Sequence, residues 1–228
     1  MSVDMYVSAS QAQADSVSSM TQKQIQGYEQ LKNAINEFTL NSPFLTGQAY
    51  DSAKAYFAQV LYPLAQGGIL LSEAVAEAVR NFPEAYISDV DSGDLKQWEL
   101  EEKIRQVNNL IAQAEEISRE LYDYSTPDAT KSAQLSSNRL MLGMYEALKG
   151  NLEEKLRKLM LFNVTSPSLF ADIETLEAAV NQGLAQTKTA FSSKSGSFSV
   201  PSQADLTWQK TIVDKWTEFD NKKQATDA

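Results

Sequence analysis

Asn41-Ser42-Pro43-Phe44-Leu45-Thr46-Gly47 separates two long stretches of helical hydrophobic spacing, and its reading decides the fold. On its N-terminal side Val17, Met20, Ile25, Tyr28, Leu31, Ile35 and Phe38 recur mostly at three- and four-residue steps. On its C-terminal side Tyr50, Ala53, Phe57, Val60, Leu61 and Leu64 do the same. Such spacing gathers apolar side chains on one face of a helix. A break of a few residues favours two helices folded back on each other as an antiparallel hairpin. Ser42-Pro43 stops the first helix, because proline disfavours the α conformation of the residue before it and has no N–H to donate. Leu45 is expected to lay its side chain against the base of the hairpin. Gly47 supplies a positive φ, or a close approach of two helices with no Cβ between them. By local signals alone this is an ordinary helix–helix turn.

The remaining composition narrows the class. A chain of 228 residues makes one or two domains, and 43% hydrophobic residues suffice for a core. Nine glycines, six prolines and few alternating β-branched runs point to an all-α protein. A formal net charge of −10 repels nucleic-acid phosphate, so no nucleic-acid partner is expected. There is no cysteine and no histidine, which excludes disulfides, thiolate or imidazole metal sites, cysteine nucleophiles and a Ser-His-Asp triad. No cofactor or metal is expected, and the chain does not read as an enzyme. A carboxylate-only site from Glu101 or Glu102 with Glu115 or Glu116 is conceivable. Their mixture with Lys103, Arg105 and Arg119 reads instead as a solvated helix surface. The first ten residues carry Asp4 and no basic residue before an apolar run, so they are not a secretory signal peptide.

Taken in order, residues 10–40 form a first helix, with Gly27 a mild defect in it. Residues 47–83 form a second, kinked or broken near Pro63 and Gly67-Gly68. Residues 89–94 superficially suggest a calcium loop, but Asp94 and Leu100 stand where such a loop needs Gly and Glu. Asp94 with Gln97 is a capping-box pattern for the next helix, which runs to Tyr122 with Leu100, Ile104, Val107, Ile111, Ala114 and Leu121 near heptad spacing. Thr126-Pro127-Asp128 opens a helix over 128–163, weakened at Gly143 and Gly150. Ser166-Pro167 opens another, reaching Phe191. Residues 192–199 read as a flexible Ser-rich loop, Ser202 caps a last helix carrying Leu206, Trp208, Ile212, Trp216 and Phe219, and 221–228 reads as a frayed tail.

Leu45-Thr46-Gly47, set in a helical hairpin of a chain without Cys or His, resembles the L-x-G motif that names the LXG domain family. The resemblance also takes in Met1-Ser2-Val3-Asp4-Met5-Tyr6 and the block from Ser42-Pro43-Phe44-Leu45 to Leu70-Leu71, and extends over most of the chain. It implies the N-terminal, non-catalytic part of a polymorphic antibacterial toxin, exported by the type VII secretion system of Gram-positive bacteria in interbacterial competition. LXG domains are similar in logic to the small helical hairpins of the WXG family. The fold so implied is an elongated antiparallel helical bundle built on a long hairpin. Its expected divisions are 1–90 as the partner-binding hairpin, 91–191 as long antiparallel helices, and 192–228 as loop, final helix and tail. Small helical WXG-like proteins encoded nearby would be the partners, and the secretion ATPase would recognise the complex. Toxic activity would reside in a C-terminal domain absent from this chain. The protein would be cytoplasmic before export and secreted without a cleavable signal, meeting the membrane only through the secretion machinery.

The physics of an amphipathic hairpin points to partners independently, because each helix buries only part of its apolar face against the other. The motif residues are Leu45 and Gly47. The faces expected to bind partners are Ile25, Tyr28, Leu31, Ile35 and Phe38, with Tyr50, Phe57, Leu61 and Leu64. The competing expectation is that residues 95–191 fold back and cover them. Export signals of aromatic-x-x-x-acid form match loosely at Trp98/Glu102, Tyr124/Asp128, Phe170/Glu174 and Trp216/Asp220. Such pairs arise by chance in a chain this rich in both residue types, and none is assigned. The alternative function is a membrane-active helical protein that inserts the uncharged stretch Ala55 to Ser72.

Overall fold

A computed structural model describes residues 2–123 and 128–226. Among these residues the fold is all-α apart from four two-residue strands. In chain order, β1 (Asp4–Met5) precedes α1 (Val7–Leu40) and α2 (Gln48–Tyr56). A π-helical turn, Phe57–Leu61, leads into α3 (Tyr62–Asp89), then β2 (Leu95–Lys96) and α4 (Gln97–Asp123). After α5 (Asp128–Thr165) and a 3-10 turn (Ser166–Phe170) come α6 (Ala171–Thr187), β3 (Phe191–Ser192) and β4 (Ser197–Phe198). A short 3-10 turn, Gln203–Asp205, precedes α7 (Thr207–Thr226). The expected start at Thr126-Pro127, and Tyr124 of one aromatic–acid pair, lie outside the described residues.

The chain forms two compact units, Met1–Ser10 with Phe82–Pro167 and Gln11–Asn81 with Ser168–Ala228. Whereas the expected divisions at 90 and 191 follow chain order, each unit joins segments distant in sequence.

In the first unit α4 and α5 are an antiparallel pair. Leu100 packs with Leu159 and Phe162 at one end. Further along, the Asn138 amide donates to the Ala114 carbonyl and to Ser118 Oγ. Met5, Val7, Tyr86, Val90 and Leu95 complete this core. β1 pairs antiparallel with β2, Met5 opposite Leu95. Asp94 does not cap the helix that follows it. Its Oδ1 accepts from Val7 N–H at 2.8 Å, the first residue of α1. Gln97 Oε1 likewise turns to Val3 N–H at 3.1 Å. The capping side chains are legible in the sequence and their recipients are not, because such a side chain serves whichever unpaired N–H the fold brings to it. α3 continues to Asp89 past Pro83, beyond the expected end. A proline inside a helix costs about 3 kcal/mol, which the burial of Tyr86 and Val90 beyond it offsets.

In the second unit α1 runs antiparallel to the α2–α3 segment. Phe38 meets Phe57 with ring centroids 5.0 Å apart, Tyr28 lies against Gly68, and Ser72 Oγ donates to Gln24 Oε1 at 3.4 Å. In place of the break expected near Pro63 and Gly67-Gly68, the chain stays helical through the π turn, where Tyr62 N–H reaches back to the Phe57 carbonyl. Pro63 has no N–H for the Gln59 carbonyl, which instead accepts from Gln209 Nε2 of α7 at 3.0 Å. The helix passes unbroken through Gly67-Gly68 because both are contact points. A Cβ on Gly67 would stand 2.5 Å from Ile212 Cδ1, and one on Gly68 2.5 Å from the Tyr28 ring.

The Ser-rich segment is a β-hairpin and not a loose loop. Gly196 takes φ +64 at its turn, Phe198 N–H donates to Ser52 Oγ at 3.1 Å, and the Phe198 ring stacks 5.4 Å from Tyr56. Ser202 caps nothing, since its hydroxyl donates to Asp205 Oδ2 at 2.6 Å. The expected tail is helical as far as Thr226.

Candidate functional site

The Leu45-Thr46-Gly47 turn is built from backbone hydrogen bonds and one lysine. α1 closes with Asn41 N–H on the Glu37 carbonyl at 3.1 Å, and Leu45 N–H folds back to the Ser42 carbonyl at 3.2 Å. Gly47 then adopts φ +104 and ψ 162, and its carbonyl receives Asp51 N–H at 2.9 Å to start α2. A Cβ on Gly47 would meet nothing within 4 Å. Of the two reasons offered for this glycine, the positive φ is therefore the operative one. Lys54 Nζ donates to the Ser42 carbonyl at 2.6 Å and the Leu45 carbonyl at 2.9 Å. It ties the turn to α2 by giving the Ser42 carbonyl a second donor beside Leu45 N–H and by supplying a donor to the Leu45 carbonyl. Sequence reading missed this role; the only signal is a lone cation just before a long uncharged run.

The apolar residues of the turn face water. Phe44 is 95% exposed, Leu40 75% and Tyr50 45%. Leu45 is the least exposed of them at 37%, so its side chain lies only partly against the hairpin that it was expected to cover.

The other expected partner-facing residues divide. Ile35 and Leu64 are buried within the chain. Ile25, Tyr28, Phe38, Phe57 and Leu61 are half-buried, and Leu31 joins Tyr50 as exposed. Much of the cover comes from residues after 168, mainly α7 and the β3–β4 hairpin. Val60, Leu64, Trp208 and Ile212 share one core with Leu176 and Val180. Phe198 lies edge-on to Phe57 at 6.0 Å. On α1, Lys32 pairs with Glu29 at 3.1 Å and sets its ammonium 4.3 Å from the centre of the Trp216 ring. A cation over an indole face is attracted by the ring quadrupole, so α7 is anchored to α1 electrostatically as well as by burial.

Among the described residues no cluster of carboxylates is arranged to hold a metal. No helix there is long and apolar enough to cross a membrane. Within the uncharged stretch, residues 63–70 are all buried in the core of their unit.

Comparison with known proteins bears on what this turn is. A relative named Toxin, from Bacillus cereus, is 32% identical over 214 residues. That alignment covers 93% of this chain and 37% of the relative, so the chain spans little more than a third of the relative's length. No solved structure matches. The family model described as LXG domain of WXG superfamily matches residues 4–199, and the exposed turn at Leu45-Thr46-Gly47 falls inside that match. The chain belongs to the LXG domain family of the WXG superfamily.

Proposed function

We propose that this chain is the non-catalytic targeting and adaptor domain of an antibacterial toxin exported by type VII secretion. In this reading it binds small helical WXG-like proteins to form the complex that the secretion ATPase takes up. Toxic activity belongs to a separate C-terminal domain. The observation that carries the reading is the exposed apolar tip formed by Leu40, Phe44, Leu45 and Tyr50 around a turn whose backbone is fixed by Gly47 and Lys54. Apolar side chains held in water on a rigid turn are what an amphipathic partner helix needs for docking. Leu31, exposed on α1 on the side of Ile35 and Phe38, is a second candidate contact.

The test is co-expression with the small helical proteins encoded beside the gene, followed by capture on this chain. Phe44→Glu and Leu31→Glu are expected to weaken capture at least about tenfold while leaving the far-UV spectrum unchanged. Secretion of the full toxin should fall in parallel. Capture indifferent to both substitutions would overturn the assignment of the surface. Dye release from liposomes by the purified chain would overturn the adaptor reading itself.

A further inference from the structure

α5 carries a second apolar face that no part of its own unit covers. Toward α4 it presents Leu135, Asn138, Leu142, Tyr145, Leu152, Leu156 and Leu159, all buried or half-buried. On the opposite side Leu140 is 68% exposed and Met144 64%. No charge interrupts this outer face from Ala133 to Asn151; Ser136, Gly143, Ala147 and Gly150 fill the positions between. The glycines mark it further. Gly67, Gly68 and Gly183 are each required by a neighbour within the chain, whereas a Cβ on Gly143 or Gly150 would meet nothing within 4 Å. Each weakens α5 relative to alanine with no return inside the molecule.

We propose that this face pairs with a second copy of the chain, α5 against α5 and antiparallel. The outer positions form a heptad seam: Ala133, Leu140 and Ala147 hold one core position, and Ser136, Gly143 and Gly150 the other. Antiparallel pairing sets Leu140 beside the partner's Gly143 and Ser136 beside the partner's Ala147, so a large side chain enters the space left by a missing one. The flanking charges choose the orientation. About a two-fold axis each flank of the seam meets the same flank of its mate, and one flank holds Arg139 and, seven residues on, Glu146. Arg139 then faces the partner's Glu146, and the same pair repeats across the axis. Parallel pairing would set Arg139 against the other flank, where Ser137 and Met144 offer no charge. The face is self-complementary in shape and in sign, which a surface shaped for an unrelated helix need not be. It lies in the first unit and the Leu45-Thr46-Gly47 turn in the second, so each is tested by its own substitutions.

Sedimentation equilibrium of the full chain up to about 0.2 mM should show a monomer–dimer equilibrium with a Kd on the order of 10 µM. Arg139→Glu or Glu146→Arg alone should weaken it about tenfold, and the double reversal should restore it. Gly143→Gln fills the crossing point while improving helix propensity. It should abolish the dimer while the thermal midpoint of the monomer is held or raised. The chain has no cysteine, so register can be read directly: a mixture of the Ser136→Cys and Ala147→Cys variants should cross-link under mild oxidation, and each alone should not. A chain that stays monomeric at the highest concentration, or a dimer indifferent to Gly143→Gln and to charge reversal, overturns the proposal.

Discussion

Glycine shows how much a residue's role depends on what the fold brings next to it. Gly47 was legible: a glycine after Ser-Pro between two helical patterns signals a turn, and φ +104 is what that turn uses. Gly47→Val is expected to cost about 1–3 kcal/mol, all of it backbone strain since the site is open. A urea titration followed by circular dichroism measures it, and an unchanged midpoint would deny the turn its structural role. Gly27 and Gly68 look alike in sequence, both inside helical spacing, yet they diverge in space. Nothing lies within 4 Å of a Cβ on Gly27, while one on Gly68 would enter the Tyr28 ring. Gly27→Ala should therefore stabilise by roughly 0.5–1 kcal/mol. Gly68→Ala should destabilise by about 1–3 kcal/mol through overpacking. The pair is checked by the same titration, and opposite signs are the diagnostic. Lys54 was illegible for the same reason: its partners are backbone carbonyls, which no side-chain pattern announces.

At the scale of elements, periodicity located the long helices because apolar spacing is a local record of burial. It failed where an element is decided by a remote contact. Serines make the β3–β4 segment read as a loop, yet Phe198 fastens it to Tyr56 and Phe57. The link between α3 and α4 gives a pH test. Tyr86 has no exposed surface, and its hydroxyl donates to the Gly93 carbonyl at 3.1 Å. Burial first, then the nearby Asp91 and Asp94 charges, push its pKa up to about 12 from 10.0. A folded value above the unfolded one means stability is fully present below pH 10 and is lost between pH 10 and 12. Burial raises Tyr56 in the other unit in the same direction, so both units lose stability in alkali. Asp91 runs the other way. Its hydrogen bond from Lys155, then that from Gly93, hold its carboxyl below the usual 3.8. Its contribution is present above that pH and fades as pH falls below it. Thermal midpoints should thus be flat through neutrality and fall at both extremes. Tyr86→Phe should flatten the alkaline limb in part, and Lys155→Met the acid one. A Tyr86→Phe variant that keeps the full alkaline loss would contradict the assignment.

For the molecule as a whole, the informative feature is where the folded second unit stops. The family match ends at residue 199. Leu206, Trp208 and Ile212 lie beyond it, at 3%, 1% and 0% exposure, in the same core as Val60, Leu64 and Val180. Aromatic spacing makes α7 legible in the sequence, but periodicity shows that a helix has an apolar face and not what that face covers. Here it covers α3 and α6, closely enough that Gly67 and Gly183 admit no Cβ beside Ile212 and Trp208. A chain cut after residue 199 would leave those glycines and Leu64 facing water. Trp208→Ala alone is expected to cost about 3–5 kcal/mol, a large part of a typical domain's stability. The truncated chain should therefore keep amide protection in α4, α5 and α3 from Phe82 on, and lose it in α2, α6 and the part of α3 before Phe82. Hydrogen exchange read segment by segment distinguishes that pattern from global unfolding. Full protection of residues 62–81 of α3 in the truncated chain would mean that α7 is dispensable, and that the second unit is complete where the family match ends.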